Sequence, residues 1–226
     1  MATETSEGNL IFEDRADAGR CLAGKLLAYK LEAPVVLALP RGGVVVGYEI
    51  ARALHAPLDV IVARKLGVPG HEELGFGAIA PEGVRVLDER AVQWLGITEE
   101  QMQRVIANET LEMNRRLRLY RGDRPLSDVR SQTVILVDDG LATGVTARAA
   151  ILSLRQQQPQ RLIVALPVCA PKAAERLQTE VGDLICLSTP SDFRAVGLWY
   201  RRFEQTTDQE VVRLLARADQ EVTATV

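Results

Sequence analysis

The stretch VILVDDGLATGVT, residues 134–146, decides how this chain is read. Val134 to Val137 form an unbroken apolar run, preceded by Thr133, with no alternation of polar and apolar residues. A run of that kind is a strand covered by helices on both faces. Two acids, Asp138 and Asp139, end it. The small and hydroxylated residues Gly140, Leu141, Ala142, Thr143, Gly144 and Thr146 then lead into a helical pattern over 144–156. Strand, acidic rim, small-residue loop and helix in this order describe the carboxyl edge of a parallel α/β sheet, where such folds bind ligands.

Outward from this stretch, further apolar runs predict strands at 35–39, 59–63, 161–168 and 183–188. Helical patterns lie between them at 15–30, 43–54 and 171–179, the last opening on Pro171 in a favourable first-turn position. Alternating strands and helices predict an α/β fold with a doubly wound, mostly parallel sheet. Residues 72–130 interrupt the rhythm: 75–89 read as a hairpin, and a long helix starts at Thr98, with Glu100 and Gln101 in reach of a capping arrangement. Such a long β and helical insertion either carries function or simply covers the core. A hood or C-terminal segment is expected at 190–218, ending in a helix near 208–218. The expectation is one domain spanning 1–226.

Composition excludes several classes. Of 226 residues, 47% are hydrophobic and 25% charged, an ordinary globular balance. The net charge of -3 argues against nucleic-acid binding as the main business. No apolar stretch approaches bilayer length and the polar N-terminus has no signal-peptide core, so a cytoplasmic location is expected. Cys21, Cys169 and Cys186 are odd in number and lack CxxC spacing, which predicts buried free thiols in a reducing compartment. His71 beside Glu72 and Glu73 has no spaced partners for a metal site, and no G-x-S-x-G elbow exists.

The chemistry follows from a conflict within 134–146. Gly140, Ala142 and Gly144 let backbone N–H groups approach a ligand, Thr143 and Thr146 add hydroxyls, and a helix N-terminus favours an anion. Carboxylates repel anions, so a ligand that uses both features carries hydroxyls or a metal as well as phosphate. Asp138 and Asp139 suit the vicinal hydroxyls of a ribose, directly or through magnesium and its waters. Phosphate and diol together describe a ribose 5-phosphate. The loop is neither a Walker loop nor G-x-G-x-x-G.

VILVDDGLATGVT resembles the phosphoribosyl pyrophosphate signature of type I phosphoribosyltransferases. LPRGG at 39–43 looks like that family's pyrophosphate loop, and ARKLGVPG at 63–70 like its second basic segment, in matching order and spacing. More narrowly, the chain is similar to an uncharacterised bacterial group of the family with a long insertion after the second strand. Independently, Gly42 and Gly43 bare the backbone, while Arg41 offers a planar fork of donors to phosphate oxygens. Arg64 and Lys65, placed just past a strand end, are expected to face the same crevice. The arginines at 115, 116, 118, 121, 124 and 130 are interspersed with Glu112, Asp123 and Asp128, which favours a solvated helix and loop for most of them.

The resemblance implies transfer of ribose 5-phosphate from phosphoribosyl pyrophosphate to a small nitrogenous acceptor. Arg41, Arg64, Lys65 and Mg2+ would offset charge on departing pyrophosphate, while Asp138 and Asp139 hold the ribose and bind the metal, directly or through water. It also implies a homodimer, a cis peptide between Pro40 and Arg41, and a hood placing Phe193 over a nucleobase; core packing is an equal reading for Phe193, Trp199, Tyr200 and Phe203. The acid that hypoxanthine-type enzymes carry in the signature is Ala142 here, and their lysine on the next strand is Val168. That argues against a 6-oxopurine and leaves adenine, another base or a non-nucleobase acceptor open. Two other classes stay open: a non-catalytic phosphoribosyl pyrophosphate sensor, and a sugar-phosphate phosphatase or hydrolase.

Overall fold

A computed structural model describes residues 2–4, 10–122, 124–125 and 127–223. Near the N-terminus β1 (Thr3–Glu4) and β2 (Leu10–Ile11) pair antiparallel, followed by α1 (Arg15–Leu26) and a 3₁₀ turn at Leu27–Glu32. Next come β3 (Val35–Ala38), α2 (Gly42–Leu54) and β4 (Leu58–Val60). The insertion holds β5 (Arg64–Val68), β6 (His71–Ile79), β7 (Arg85–Leu87), α3 (Glu89–Trp94) and α4 (Glu99–Arg121). β8 (Thr133–Val137), α5 (Val145–Gln156), β9 (Arg161–Val168), α6 (Pro171–Glu180) and β10 (Asp183–Ser188) follow. A 3₁₀ turn at Val196–Trp199 and α7 (Asp208–Thr223) complete the described chain.

The central sheet has the order β10-β9-β8-β3-β4, and every neighbouring pair is parallel. From β3 the chain moves outward to β4, then returns as β8 on the other side of β3. The carboxyl ends of β3 and β8 therefore flank the switch point at which a crevice opens. The strands lack alternation because both faces are covered. Val36, Ala38, Ile135 and Val137 belong to a core with Leu22, Ile50 and Leu215 of α1, α2 and α7. Val35, Leu37, Val134 and Leu136 pack with Ile151, Leu154 and Leu177 of α5 and α6.

The excursion begins earlier than the expected residue 72. β4 stops at Val60, and Arg64 and Lys65 already open the antiparallel sheet β5-β6-β7. Ala78, Val84 and Val86 of that sheet rest against Ala149 and Leu152 of α5. Thr98 and Gln101 form a full capping box at the start of α4. The hood is built from both chain ends: Phe12 N–H donates to Trp199 O and Arg201 N–H to Phe12 O, and Phe12, Trp199 and Tyr200 share a buried cluster. The helix expected near 208–218 is α7, which packs under α2 and α4, with Tyr48 Oη donating to Glu221 and Tyr120 Oη to Asp208.

The expectation of three free thiols is overturned. Cys169 and Cys186 are paired as a disulfide with Cα atoms 6.6 Å apart, and only Cys21 among the described cysteines is free. The parallel register sets Val168 beside Ser188, so the carboxyl ends of β9 and β10 bring the two thiols together. Spacing along the chain carries no trace of that register. A bonded pair gives no sign of a reducing compartment.

Candidate active site

The Pro40–Arg41 peptide is cis, as the resemblance implied. Leu39 N–H donates to Val137 O at 2.8 Å, so the ends of β3 and β8 are tied directly together. The turn after β3 then lies on the acid pair. A Cβ at Gly43 would stand 2.9 Å from the Asp138 Cα, and one at Gly42 would overlap Asp139 Oδ2 and approach Arg15 Nε to 2.7 Å. Only glycine permits this approach of α2 to the end of β8.

Asp139 is committed to a residue that sequence reasoning missed. Arg15 Nε donates to Asp139 Oδ2 at 2.7 Å, with the two side chains 11% and 18% exposed. Arg15 Nη1 donates to Glu204 O at 2.7 Å, and its guanidinium lies 3.8 Å from the centre of the Phe203 ring. Tyr200 Oη donates to the Asp139 main-chain oxygen at 2.6 Å. No motif marks Arg15. It opens α1, which Asp14 caps by accepting from Asp17 N–H at 2.9 Å, and the meeting with Asp139 depends on how α1 sits on the sheet. Asp138 Oδ1 accepts from Asp139 N–H at 2.8 Å. Among the described residues Arg15 is the single cation paired with these two acids. Burial raises the pKa of both carboxyls; the Asp139 charge raises Asp138 further, whereas Arg15 opposes the rise at Asp139.

The loop 140–146 is shaped by packing as much as by any ligand. Gly140 was expected to bare the backbone, yet a Cβ there would meet Val196 Cγ1 at 2.5 Å, so its missing side chain accommodates the hood. Leu141 is buried; its N–H donates to Val168 O at 2.9 Å and its carbonyl accepts from Ala170 N–H at 2.7 Å, which pins the loop to the end of β9. Gly144, at φ 78°, caps α5 in the left-handed region. Ala142 and Thr143 are exposed, Thr146 is half-buried, and the first turn of α5 presents N–H groups that have no partner within the helix.

The two basic segments separate. Arg41 starts α2 with Nη1 3.8 Å from Asp208 Oδ1 of α7. Arg64 and Lys65 were expected to face one crevice, and both line a cleft of about 470 Å3 between β5 and α4. Arg64 Nη2 pairs with Glu109 of α4 at 2.6 Å. Lys65 lies across Gly75 and, with Thr143, Gly144, Val145 and Arg148, lines a cleft of about 810 Å3 beside the phosphate-type loop. Of the arginines expected to be solvated, Arg121 is half-buried, with its side chain 8% exposed, and pairs with Asp59 at 2.9 Å. Phe193 packs on the hood cluster, and Val168 is fully buried in it. No group of three metal-ligating side chains occurs among the described residues, and no described helix is long and apolar enough to cross a membrane.

A parallel sheet with an acid pair and two glycine-bearing loops at its switch point defines the class. Residues 11–198 match the phosphoribosyl transferase domain model, and the chain belongs to that family. It is 43% identical over 208 residues to the Mycobacterium tuberculosis protein Rv0571c, itself provisionally named a phosphoribosyl transferase. That match covers 92% of this chain and 47% of the relative, so the chain spans about half the length of the curated relatives it matches. The crystal structure of TT1426 from Thermus thermophilus is 42% identical, with a TM-score of 0.77, covering 92% of this chain and 98% of that one. A Neisseria gonorrhoeae hypothetical protein with bound ppGpp shares the fold at 15% identity and a TM-score of 0.50, covering 96% of this chain and 98% of that one.

Proposed function

We propose that the protein transfers a 5-phosphoribosyl group from phosphoribosyl pyrophosphate to a nitrogen acceptor, a nucleobase, and releases pyrophosphate. The observation that carries this reading is the contact between the Gly42–Gly43 turn and the Asp138–Asp139 pair. A glycine turn against an acid pair, with the anion-favouring start of α5 on the same loop, supports reading the turn as a pyrophosphate loop and the acids as the diol site. A ribose carrying phosphate at one end and pyrophosphate at the other matches that layout.

In the proposed reaction the bond from the anomeric carbon to pyrophosphate breaks as the bond to the acceptor nitrogen forms. Positive charge grows on the ring and negative charge on the leaving group, so positioning and electrostatics carry the catalysis. Asp138 accepts from a ribose hydroxyl and offsets ring charge, and the backbone of 141–146 with Thr143 and Thr146 holds the 5-phosphate. Arg41 donates to pyrophosphate oxygens, which requires it to exchange its 3.8 Å approach to Asp208 for the ligand. Lys65 is close enough to the loop, across one cleft, to serve the same ligand. Arg64, satisfied by Glu109, is the weakest member of the set.

The donor set fits magnesium in one way. Arg15 pairs with Asp139 and leaves the Asp138 carboxyl without a cation, but no third ligand stands near among the described residues. Asp138 would hold the ion, with Asp139 reaching it only through water, jointly with ligand oxygens, as suits a cation that retains waters and binds through one or two carboxylates. When bound, magnesium would neutralise charge on pyrophosphate. The proposal extends, through the family resemblance, to a homodimer acting in cytoplasmic nucleotide metabolism.

The test is a thermal shift. At about 100 times Kd, phosphoribosyl pyrophosphate with magnesium adds roughly 2.7 kcal/mol, or about 5–11 °C for a chain of this size. Asp138→Asn with Asp139→Asn removes most of it. No magnesium-dependent shift at millimolar ligand overturns the reading. Pyrophosphate release over a panel of bases then identifies the acceptor. Binding without turnover would favour a sensor, and phosphate release without acceptor a hydrolase.

A further inference from the structure

We infer that Arg15 is a positioning residue for the acid pair: it holds the Asp139 carboxylate back against Gly42 and links it to the hood, leaving Asp138 as the carboxylate available to ribose and metal. This rests on the proposed function and assigns different tasks to two acids that the motif presents as equivalent.

Five contacts converge on the point. The Arg15 guanidinium spans from Asp139 Oδ2, at 2.7 Å, to the Glu204 carbonyl, also at 2.7 Å. Its face lies 3.8 Å from the centre of the Phe203 ring, and Phe203 stands 4.9 Å from the Tyr200 ring. Tyr200 Oη holds the main-chain oxygen of the same Asp139 at 2.6 Å. Asp139 is therefore fixed at its side chain from α1 and at its backbone from the hood. A planar guanidinium suits the place, because it donates to a carboxylate and a carbonyl while stacking on a ring; an ammonium supplies the charge and a donor but no planar face.

The charge count gives this arrangement its purpose. Two adjacent carboxylates facing a ligand with phosphates at both ends would repel it. One cation for two acids cancels the charge of the carboxylate that is turned away and leaves one for the diol. Because Glu204 O and Phe203 belong to the segment after the hood turn, movement of that segment also bears on the acid pair. Asp139 is then a support of the pyrophosphate-side turn, and Asp138 the acid that meets substrate.

The test is a double-mutant cycle read by calorimetric binding of phosphoribosyl pyrophosphate at several magnesium concentrations, with acceptor KM measured alongside. Arg15→Ala should weaken binding about tenfold, equivalent to roughly 1.4 kcal/mol. It should also raise the magnesium needed and leave acceptor KM unchanged. Arg15→Lys should recover part of the loss. If Arg15 acts through Asp139, the double variant Arg15→Ala with Asp139→Asn loses much less in total than the two single losses combined. Should Arg15→Ala fail to fold, Arg15→Lys with and without Asp139→Asn closes the same cycle. Additive losses, or native binding and magnesium dependence in Arg15→Ala, overturn the assignment. Failure of the native protein to bind the ligand overturns the substrate reading and this inference together, which separates the two kinds of failure.

Discussion

Gly42→Ala is expected to destabilise this protein although alanine is the better helix former. The added Cβ would overlap Asp139 Oδ2 and approach Arg15 Nε to 2.7 Å, so it drives apart an ion pair whose members are 11% and 18% exposed. Removing one partner of a buried pair costs about 3–5 kcal/mol. Here both partners survive and retain some water, which reduces the cost to roughly 1–3 kcal/mol. The gain from replacing glycine at the start of α2 is at most about 1 kcal/mol. Taken at its middle, a cost of about 2 kcal/mol less a gain of up to about 1 kcal/mol leaves a net loss of roughly 1–2 kcal/mol, a fall in Tm of roughly 2–8 °C. Gly24→Ala is the matched control: it lies on the exposed side of α1 with nothing within 4 Å of its Cβ position. That change should raise Tm by up to about 2–4 °C. Calorimetry on the pair, with and without magnesium and phosphoribosyl pyrophosphate, reads both effects. The ligand-induced shift should shrink in Gly42→Ala and persist in Gly24→Ala. A Gly42→Ala protein that melts at or above the native temperature would refute the reasoning, because it would mean that Asp139 is not held beneath the turn.

Other consequences are as concrete. The hydrogen bond from Arg115, then that from Arg116, holds the Glu112 carboxyl at about 2, against an ordinary 4.5. A depressed folded pKa gives stability that is complete above about 4.5 and lost as pH falls toward about 2. The stability difference between native protein and Glu112→Gln, from urea melts, should therefore shrink across that window; a constant difference would remove the ion pair as its cause. Burial, then the hydrogen bond to Asp208 and its charge, raises the Tyr120 hydroxyl above the ordinary phenol range. Asp208→Asn should lower it while burial keeps it raised, read by ultraviolet titration against Tyr120→Phe, and an unchanged value would count against Asp208. Hypoxanthine and guanine should not be turned over by the native protein, since Ala142 and buried Val168 offer a purine oxygen and proton nothing; measurable turnover would reverse that exclusion.

The sequence by itself determined the parallel α/β sheet, because a strand covered on both faces must be apolar throughout, and the runs ending at Val137 and Val168 show it. It also determined the candidate loops. Gly42, Gly43 and Gly144 are legible because close approach and a left-handed φ each require the absence of a side chain, and Asp138 and Asp139 because two acids at a buried strand end need a reason. Only the tertiary structure decided what those residues face. The pairing of Arg15 with Asp139 joins positions 124 residues apart, through the seating of α1 on the sheet. The turning of Arg64 toward Glu109 depends on α4 packing over β5. The disulfide between Cys169 and Cys186 follows from the register of β9 on β10. Local backbone demands leave their mark in adjacent residues, whereas charge partners and cross-strand neighbours are set by packing that no short stretch of chain encodes.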